Sequence, residues 1–209
     1  GRLAWSWLLA NPTAEGFKNP KGISTGEYGD SNSEDERFWA AIEFYLTTGE
    51  EEFHNFAKNS FNKKKSNGLG WASMGTYGQI SYIFDETAAK DETLLTQVRK
   101  DFDGTVKRLT RKSSRDGYGI SKGVSYKWGS NQGVADNAFT LILAYKLTGD
   151  ETYRNQAYDH LHYLLGRNGL AQSHVSGFGE QSLLLPHHRP STALGKVMPG
   201  MLAGGPNSD

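Results

Sequence analysis

Tyr45-Leu46-Thr47-Thr48-Gly49-Glu50-Glu51-Glu52-Phe53 returns at an offset of 100 residues as Tyr145-Lys146-Leu147-Thr148-Gly149-Asp150-Glu151-Thr152-Tyr153. In each copy an apolar-patterned helix stops at Thr-Gly, and acidic residues followed by an aromatic begin the next. The glycine is placed to close a helix in the left-handed conformation. The acidic residues fall in a first turn, where negative charge suits the helix dipole. Each segment therefore reads as a tight αα-hairpin. Two such hairpins, with another between them, predict stacked helix pairs. Stacked pairs form either an open solenoid or a closed α/α toroid. Solenoids keep their connections short, and the long loops here favour the toroid, which gathers its loops at one end around a cleft.

Outward from the first hairpin, Asp35 to Leu46 carries apolar residues at 38, 41, 42 and 45, the spacing of one helix face. Glu34, Asp35 and Glu36 open that helix. A second helix is predicted over 51–61, followed by a basic loop from Lys63 to Gly68, with Lys63–Lys65 read as a solvated run. Further helices are expected near 72–89, 92–110, 134–147 and 151–165, with 111–133 mostly loop. No stretch shows the period-two alternation of a strand.

The 209 residues suffice for one domain with a real core. Acidic and basic residues balance at 23 each, which argues against a nucleic-acid partner and against a polybasic membrane anchor. Cysteine is absent, so neither a disulfide framework nor a thiolate metal site exists. No apolar run spans a bilayer, and no signal peptide is visible. Leu3 to Leu9 reads as the tail of a helix already under way, and Gly204 to Asp209 as a loop in mid-course. A fragment of a longer polypeptide is the expectation, and with it poor folding of the fragment alone, because half a toroid leaves apolar helix faces uncovered.

Three constellations stand out in the loops. Ser173 to Arg189 is a long irregular connection ending in His187-His188-Arg189, two imidazoles and a guanidinium suited to hydroxyls or carboxylates. A loop using its histidines for local hydrogen bonds is the plain alternative. Zinc is disfavoured: adjacent histidine side chains diverge, and His54, His160, His162 and His174 have no metal-motif spacing. His160 and His162, two apart on a helix, face different ways. In Tyr126-Lys127-Trp128-Gly129-Ser130-Asn131, the tryptophan is poorly placed for a core, and its face suits the C–H face of a sugar. Ser130 and Asn131 read as caps of the following helix. In Thr25 to Glu36, Tyr28 is a second loop aromatic, and the acidic group offers oxygens to Ca²⁺, although its spacing is not that of an EF-hand and an ordinary acidic helix start is the stronger reading. Phosphate loops, Ser-His-Asp order and HExxH are all missing.

Taken together, these motifs resemble glycoside hydrolase family 9, the inverting cellulases. The likeness rests on Thr25-Gly-Glu-Tyr-Gly-Asp with Asp35-Glu36 and Trp39-Ala40-Ala41, on Trp128-Gly-Ser-Asn, on His162-Tyr-Leu-Leu-Gly-Arg-Asn168, and on Ser173 to Arg189 with its Pro-His-x-Arg end. Gly204-Gly205-Pro206-Asn207 also fits. The likeness covers nearly the whole chain, and the last long segment is its most specific part.

The resemblance implies an all-α fold, an (α/α)6 barrel with an open cleft, of which residues 1–209 form a part of one catalytic domain. It assigns His187 and Arg189 to the sugar near the cleavage point, Trp128 and Tyr28 to sugar stacking, and His188, more weakly, to substrate. Asp35 and Glu36 match a pair that binds calcium in some members; no cofactor is otherwise required. Trp71 is a further cleft aromatic. Gln181 departs from the family's usual Asn, Lys or Arg. The family's Asp-Ala-Gly-Asp base segment and its Asn-Glu-rich acid segment have no counterpart here, so both chemical carboxylates are expected outside this sequence. The implied activity is hydrolysis of β-1,4-glucosidic bonds in cellulose or related β-glucans. The expected partners are the polysaccharide and the remainder of the catalytic domain, and the expected location is extracellular. A non-catalytic carbohydrate-binding or helical scaffold domain is the alternative.

Overall fold

The computed structural model describes residues 1–13, 16–27, 29–30, 32–61 and 68–208. Its helices are α1 (Arg2–Ala10), α2 (Glu34–Thr48), α3 (Glu51–Phe61), α4 (Gly75–Phe84), α5 (Glu92–Ser113), α6 (Ser130–Thr148), α7 (Glu151–Leu164) and the short α8 (Arg189–Leu194). Among the described residues there is no strand, only two isolated bridges. Two compact units divide the chain: Gly1–Asn67 with Trp71–Phe102, and Gly68–Gly70 with Asp103–Asp209. The boundary falls within α5. The basic loop Lys63–Lys65 lies outside the described residues.

The repeated hairpin turn has the same geometry in both units. Gly49 and Gly149 sit at φ 70° and 71°. Their N–H groups donate to Tyr45 O and Tyr145 O, both at 2.8 Å, which closes each helix with a left-handed cap. Thr48 Oγ1 accepts from Glu50 N, and Thr148 Oγ1 from Asp150 N. Asp150 then caps α7 by accepting from Thr152 N at 2.8 Å. Threonine thus holds the outgoing chain, and the acidic residue starts the next helix.

In the first unit, α2 packs against α3 and α4. Trp5 of α1 meets Phe44, Phe53 and Phe56 edge-on, and Phe44 stacks on Phe53. Such edge-to-face and offset pairs contribute beyond their buried area. Arg37, buried, donates to Leu8 O, Asn11 O and Ser33 Oγ. A cation at the C-terminal carbonyls of α1 complements that helix's dipole. The expected 72–89 helix is only Gly75–Phe84. Asp85 turns extended at ψ 136°, and its carboxylate accepts from Thr87 N and Ala88 N, a local turn that competes with helix continuation.

In the second unit, α6 and α7 pack together. Ile120, Val134, Tyr163 and Leu164 form a buried cluster beneath the loops. The 114–129 loop is held tightly to α7. Asp116 Oδ1 accepts from Tyr118 N and Ile120 N. Arg167 Nη2 donates to Tyr118 O at 3.0 Å and to Asp159 Oδ1 at 2.6 Å. His160, fully buried, accepts at Nε2 from Ser121 N at 2.9 Å, lies 2.9 Å from Ser121 Oγ, and donates from Nδ1 to Gln156 O at 2.7 Å. His162, by contrast, is exposed beside Tyr158, as the two-residue spacing predicts.

Burial, the main effect, lowers the pKa of His160 against the raising influence of Asp159 and Asp116. Its neutral form is the one that accepts from Ser121. Below the unfolded-state value near 6.5 the unfolded chain takes up a proton that the fold refuses, so this stability is present above that pH and lost as pH falls. His54 and His174 are shifted the same way, each chiefly by burial. The histidines' contribution to melting temperature is therefore expected to fall from pH 7 to pH 5, while Glu36, its carboxyl pushed up to about 7 by burial, contributes in the opposite direction. His160→Gln should show a shallower fall than the parent, and equal slopes in both proteins would refute the role given to His160.

Candidate functional site

The long connection from α7 to α8 is irregular but stitched. Asn168 Nδ2 donates to Tyr163 O and Gln172 O, both at 2.8 Å, and its Oδ1 accepts from Leu170 N. His174 N donates to Leu164 O, and Ser173 N to Gln181 O. Ser176, fully buried, ties to the segment beyond α8: its N donates to Met201 O, its carbonyl accepts from Gly200 N at 2.7 Å, and its Oγ donates to Met198 O. These bonds replace the helix and sheet ladders that the loop lacks.

That returning segment ends on α6. Asn131 N donates to Gly204 O at 3.0 Å, and Ser130 Oγ to Pro206 O at 2.7 Å. Asn131, fully buried, lies with Nδ2 2.8 Å from His174 Nδ1 and 3.1 Å from Ala203 O. The expectation that Ser130 and Asn131 cap α6 is thus corrected. Both lie in its first turn, Gly129 is the N-cap residue with left-handed geometry at φ 77°, and Ala203–Pro206 holds the helix start from 72 or more residues away. The helix accordingly begins at Ser130, four residues earlier than the apolar pattern suggests.

Trp128 stands just ahead of this locked helix start and is 79% exposed. Tyr126, two residues earlier, accepts at its carbonyl from Ser208 N and Oγ, and Lys122 Nζ lies 5.2 Å from its ring centre. The loop around the indole is therefore fixed while the indole itself is open to solvent.

The His-His-Arg cluster divides its labour. His188 is the N-cap of α8, its Nδ1 accepting from Ser191 N at 3.3 Å and lying 2.8 Å from Ser191 Oγ. This is the local role that the plainer reading foresaw for a histidine in this loop. His187 and Arg189 flank it, both exposed. Arg189 is the first residue of α8, with proline next, a favoured helix opening. Trp128 and Arg189 both belong to the second unit. The segment from Met198 to Pro206 touches α8 through Met201 and Ser191 and reaches Gly129–Asn131 through Gly204 to Pro206. Among the described residues no hydrogen bond or ring contact joins the indole to either His187 or Arg189.

The remaining candidates belong to the first unit. Tyr28 lies outside the described residues. Trp71 is 55% exposed. Asp35 Oδ2 accepts from Met74 N at 2.7 Å and Gly75 N at 3.3 Å, so it holds the start of α4. Burial, with Asp35 and Asp30 adding negative charge nearby, pushes the Glu36 carboxyl up to about 7, and its Oε2 is buried without a hydrogen-bond partner. Among the described residues no cluster of three or more His, Cys, Asp or Glu could hold a metal ion.

One feature of the second unit escaped the sequence reading, an open cavity of about 340 Å³ bordered by Tyr118, Tyr126, Tyr163, Leu170, His174 and Pro206. Its residues are scattered over nearly ninety positions and carry no motif.

The family model for Glycosyl hydrolase family 9 matches residues 2–209. Endoglucanase D of Acetivibrio thermocellus is 33% identical over 209 residues, which cover 98% of this chain and 33% of that protein. A xyloglucan-specific endo-β-1,4-glucanase of Bacteroides ovatus is 31% identical over 224 residues, covering 98% of this chain and 37% of the relative. The crystal structure of a metagenome-derived glycoside hydrolase family 9 endoglucanase superposes with a TM-score of 0.91 at 28% identity, over all of this chain and 38% of that one. The chain thus spans about a third of the length of a relative such as Endoglucanase D. Its all-α fold is part of an (α/α)6 barrel. Matched along nearly its whole length and carrying the loop motifs in order, the chain belongs to glycosyl hydrolase family 9.

Proposed function

We propose that the protein carrying this chain hydrolyses internal β-1,4 bonds of cellulose or a related β-glucan with inversion, and that these residues grip the polysaccharide. Trp128 is the observation that carries the reading: a large indole, 79% exposed, mounted on a loop and helix start that are locked from several directions. Such a face has no packing role and suits the C–H face of a glucose ring. His187 and Arg189, exposed in the same unit, supply donors to sugar hydroxyls. Tyr28 adds a second platform, and His188 acts chiefly by starting α8 and so placing its neighbours.

The chemistry itself is assigned to two carboxyl groups outside these 209 residues. One activates water on one face of the anomeric carbon, and the other protonates the leaving oxygen across a gap of roughly 6.5–9.5 Å. The residues here bind and orient the chain, and contacts that tighten as the ring distorts lower the barrier. The protein of natural length, given a soluble β-glucan, is expected to release the α-anomer first when followed by proton NMR. Release of the β-anomer would refute inversion, and no hydrolysis at all would leave the non-catalytic carbohydrate-binding reading.

Calcium belongs to the same proposal. A buried, unpartnered Glu36 oxygen beside Asp35 suits a hard cation, with backbone carbonyls and water completing the shell. Bound there by Asp35 and Glu36, it would neutralise the acidic start of α2 and stiffen it. The whole protein's partner is accordingly a β-glucan, together with the rest of its own catalytic domain, and secretion follows from so large a substrate. Among the described residues no helix is long and apolar enough to cross a membrane.

A further inference from the structure

The geometry assigns the cavity between the 114–129 loop, α7 and Pro206 to a single pyranose ring, held beside the glucan rather than within its main chain. Its volume, about 340 Å³, lies at the small end of ligand pockets and suits one ring, not an extended oligosaccharide. No charged side chain lines it, so a neutral ligand is selected. Three tyrosines supply apolar faces and phenol hydroxyls together. Tyr118 meets Tyr163 edge-on at 5.9 Å, and the hydroxyls of Tyr163 and Tyr126 are 3.5 Å apart. That separation is too long for a strong O–H···O bond, whose usual length is about 2.7–2.8 Å, so both hydroxyls keep capacity for a ligand.

His174 is the second, independent observation. It is 6% exposed and lines the cavity. Asn131 Nδ2 donates to its Nδ1, which fixes the tautomer with hydrogen on Nε2. Among the described residues no protein group hydrogen-bonds that Nε2. Burial keeps the ring neutral, so it presents a donor without a charge. The residue is buried as a whole, but Nε2 is not among its closed-off atoms, so this donor is open to solvent or to a ligand. A sugar hydroxyl accepts from it, while the ring's C–H face lies on tyrosine.

Position connects this cavity to the cleft. Tyr126 precedes Trp128 by two residues, so their Cα atoms are within about 7 Å. A branch sugar on a glucan stacked at Trp128 is within reach, and so is a free monosaccharide; the chemistry recognised is the same. The inference rests on the reading of Trp128 as a glucan platform only for the branched case.

Leu170, on the cavity wall and 63% exposed, can be enlarged without disturbing the core. In the natural-length protein, Leu170→Trp is expected to lower kcat/KM on a xylosyl-branched β-glucan about fivefold and to leave an unbranched β-glucan unchanged. Saturation-transfer NMR with free xylose and free glucose provides the second arm. Signal in the parent that is lost in Leu170→Trp, with branched-glucan kinetics unmoved, assigns the pocket to free monosaccharide. Parallel loss on both polymers, or no change in kinetics and no monosaccharide signal, overturns the assignment. Failure of the parent to hydrolyse any β-glucan would sink the proposed activity, and the monosaccharide arm would still decide the pocket.

Discussion

Asn131→Ala is expected to lower stability by about 2–4 kcal/mol, read as a fall in the midpoint of urea unfolding at pH 7. The side chain is fully buried and donates to both His174 Nδ1 and Ala203 O. Truncation leaves two buried acceptors without donors, each a loss of roughly 1–3 kcal/mol, tempered where water can enter. Ser130→Ala removes one bond to Pro206 O and should cost about 1 kcal/mol. Gly205 presses on the same lock from the other side. It sits at φ 97°, and a Cβ there would lie 2.5 Å from Asn131 Cγ and 2.6 Å from Ser130 Oγ. Gly205→Ala should therefore destabilise through both the left-handed backbone and the clash. Asn131→Ala removes part of what that Cβ would strike. The double variant should accordingly cost less than the two singles summed, by about 1 kcal/mol. Strict additivity would show that the segment 203–206 is not seated on Asn131 as described.

This lock also shows where sequence reasoning reached its limit. The hairpins were legible because everything that makes them is local: Thr-Gly to stop, an acid to restart, and apolar residues at helical spacing. Gly49 and Gly149 accordingly have matching geometry. The start of α6 was not legible, because its partners Gly204 and Pro206 lie more than seventy residues away. Without knowledge of that return, Ser130 and Asn131 resemble ordinary caps, and the long Gly- and Ser-containing stretch before them resembles a loop that runs too far. The end of α4 was misjudged for a different reason. Asp85 terminates it through its own carboxylate, a local signal that the apolar run through Tyr82–Phe84 obscured.

The candidate site divides the same way. Trp128 could be singled out because an indole between a lysine and a glycine has no helix face to join, and its exposure agrees. The His-His-Arg cluster carried a readable signal that was passed over: Arg189-Pro190 followed by Ser191 has the form of a helix opening. With α8 recognised, His188 becomes a cap and the two flanking side chains become the free ones. The tyrosine cavity had no such signal. Tyr118, Tyr126, Tyr163 and His174 meet only because Arg167 and His160 draw the 114–129 loop onto α7, and neither of those pairings follows from spacing.

Arg189→Ala should lower kcat/KM on soluble β-glucan at least tenfold in the natural-length protein, a loss of about 1.4 kcal/mol of transition-state binding. The prediction is clean because the native chain does not depend on this side chain. It is exposed and, among the described residues, makes no hydrogen bond or ion pair, while α8 is started by His188 and Ser191. Melting temperature should therefore stay within error of the parent, and the kinetic loss cannot be ascribed to unfolding. Trp128→Ala provides the contrast. A stacking platform away from the reacting bond holds ground state and transition state alike, so its loss should appear mainly in KM. A guanidinium close to the cleavage point that meets the distorted ring more strongly should appear in kcat. If both side chains hold one glucan chain at separate points, the double variant should lose roughly the product of the two single factors, as expected for sites without a shared contact. An unchanged kcat/KM in Arg189→Ala would remove the guanidinium from the site. A double variant no worse than the poorer single would mean that the indole and the guanidinium act as one unit rather than at separate points, and an unchanged kcat/KM in Trp128→Ala would take the indole out of the carbohydrate cleft.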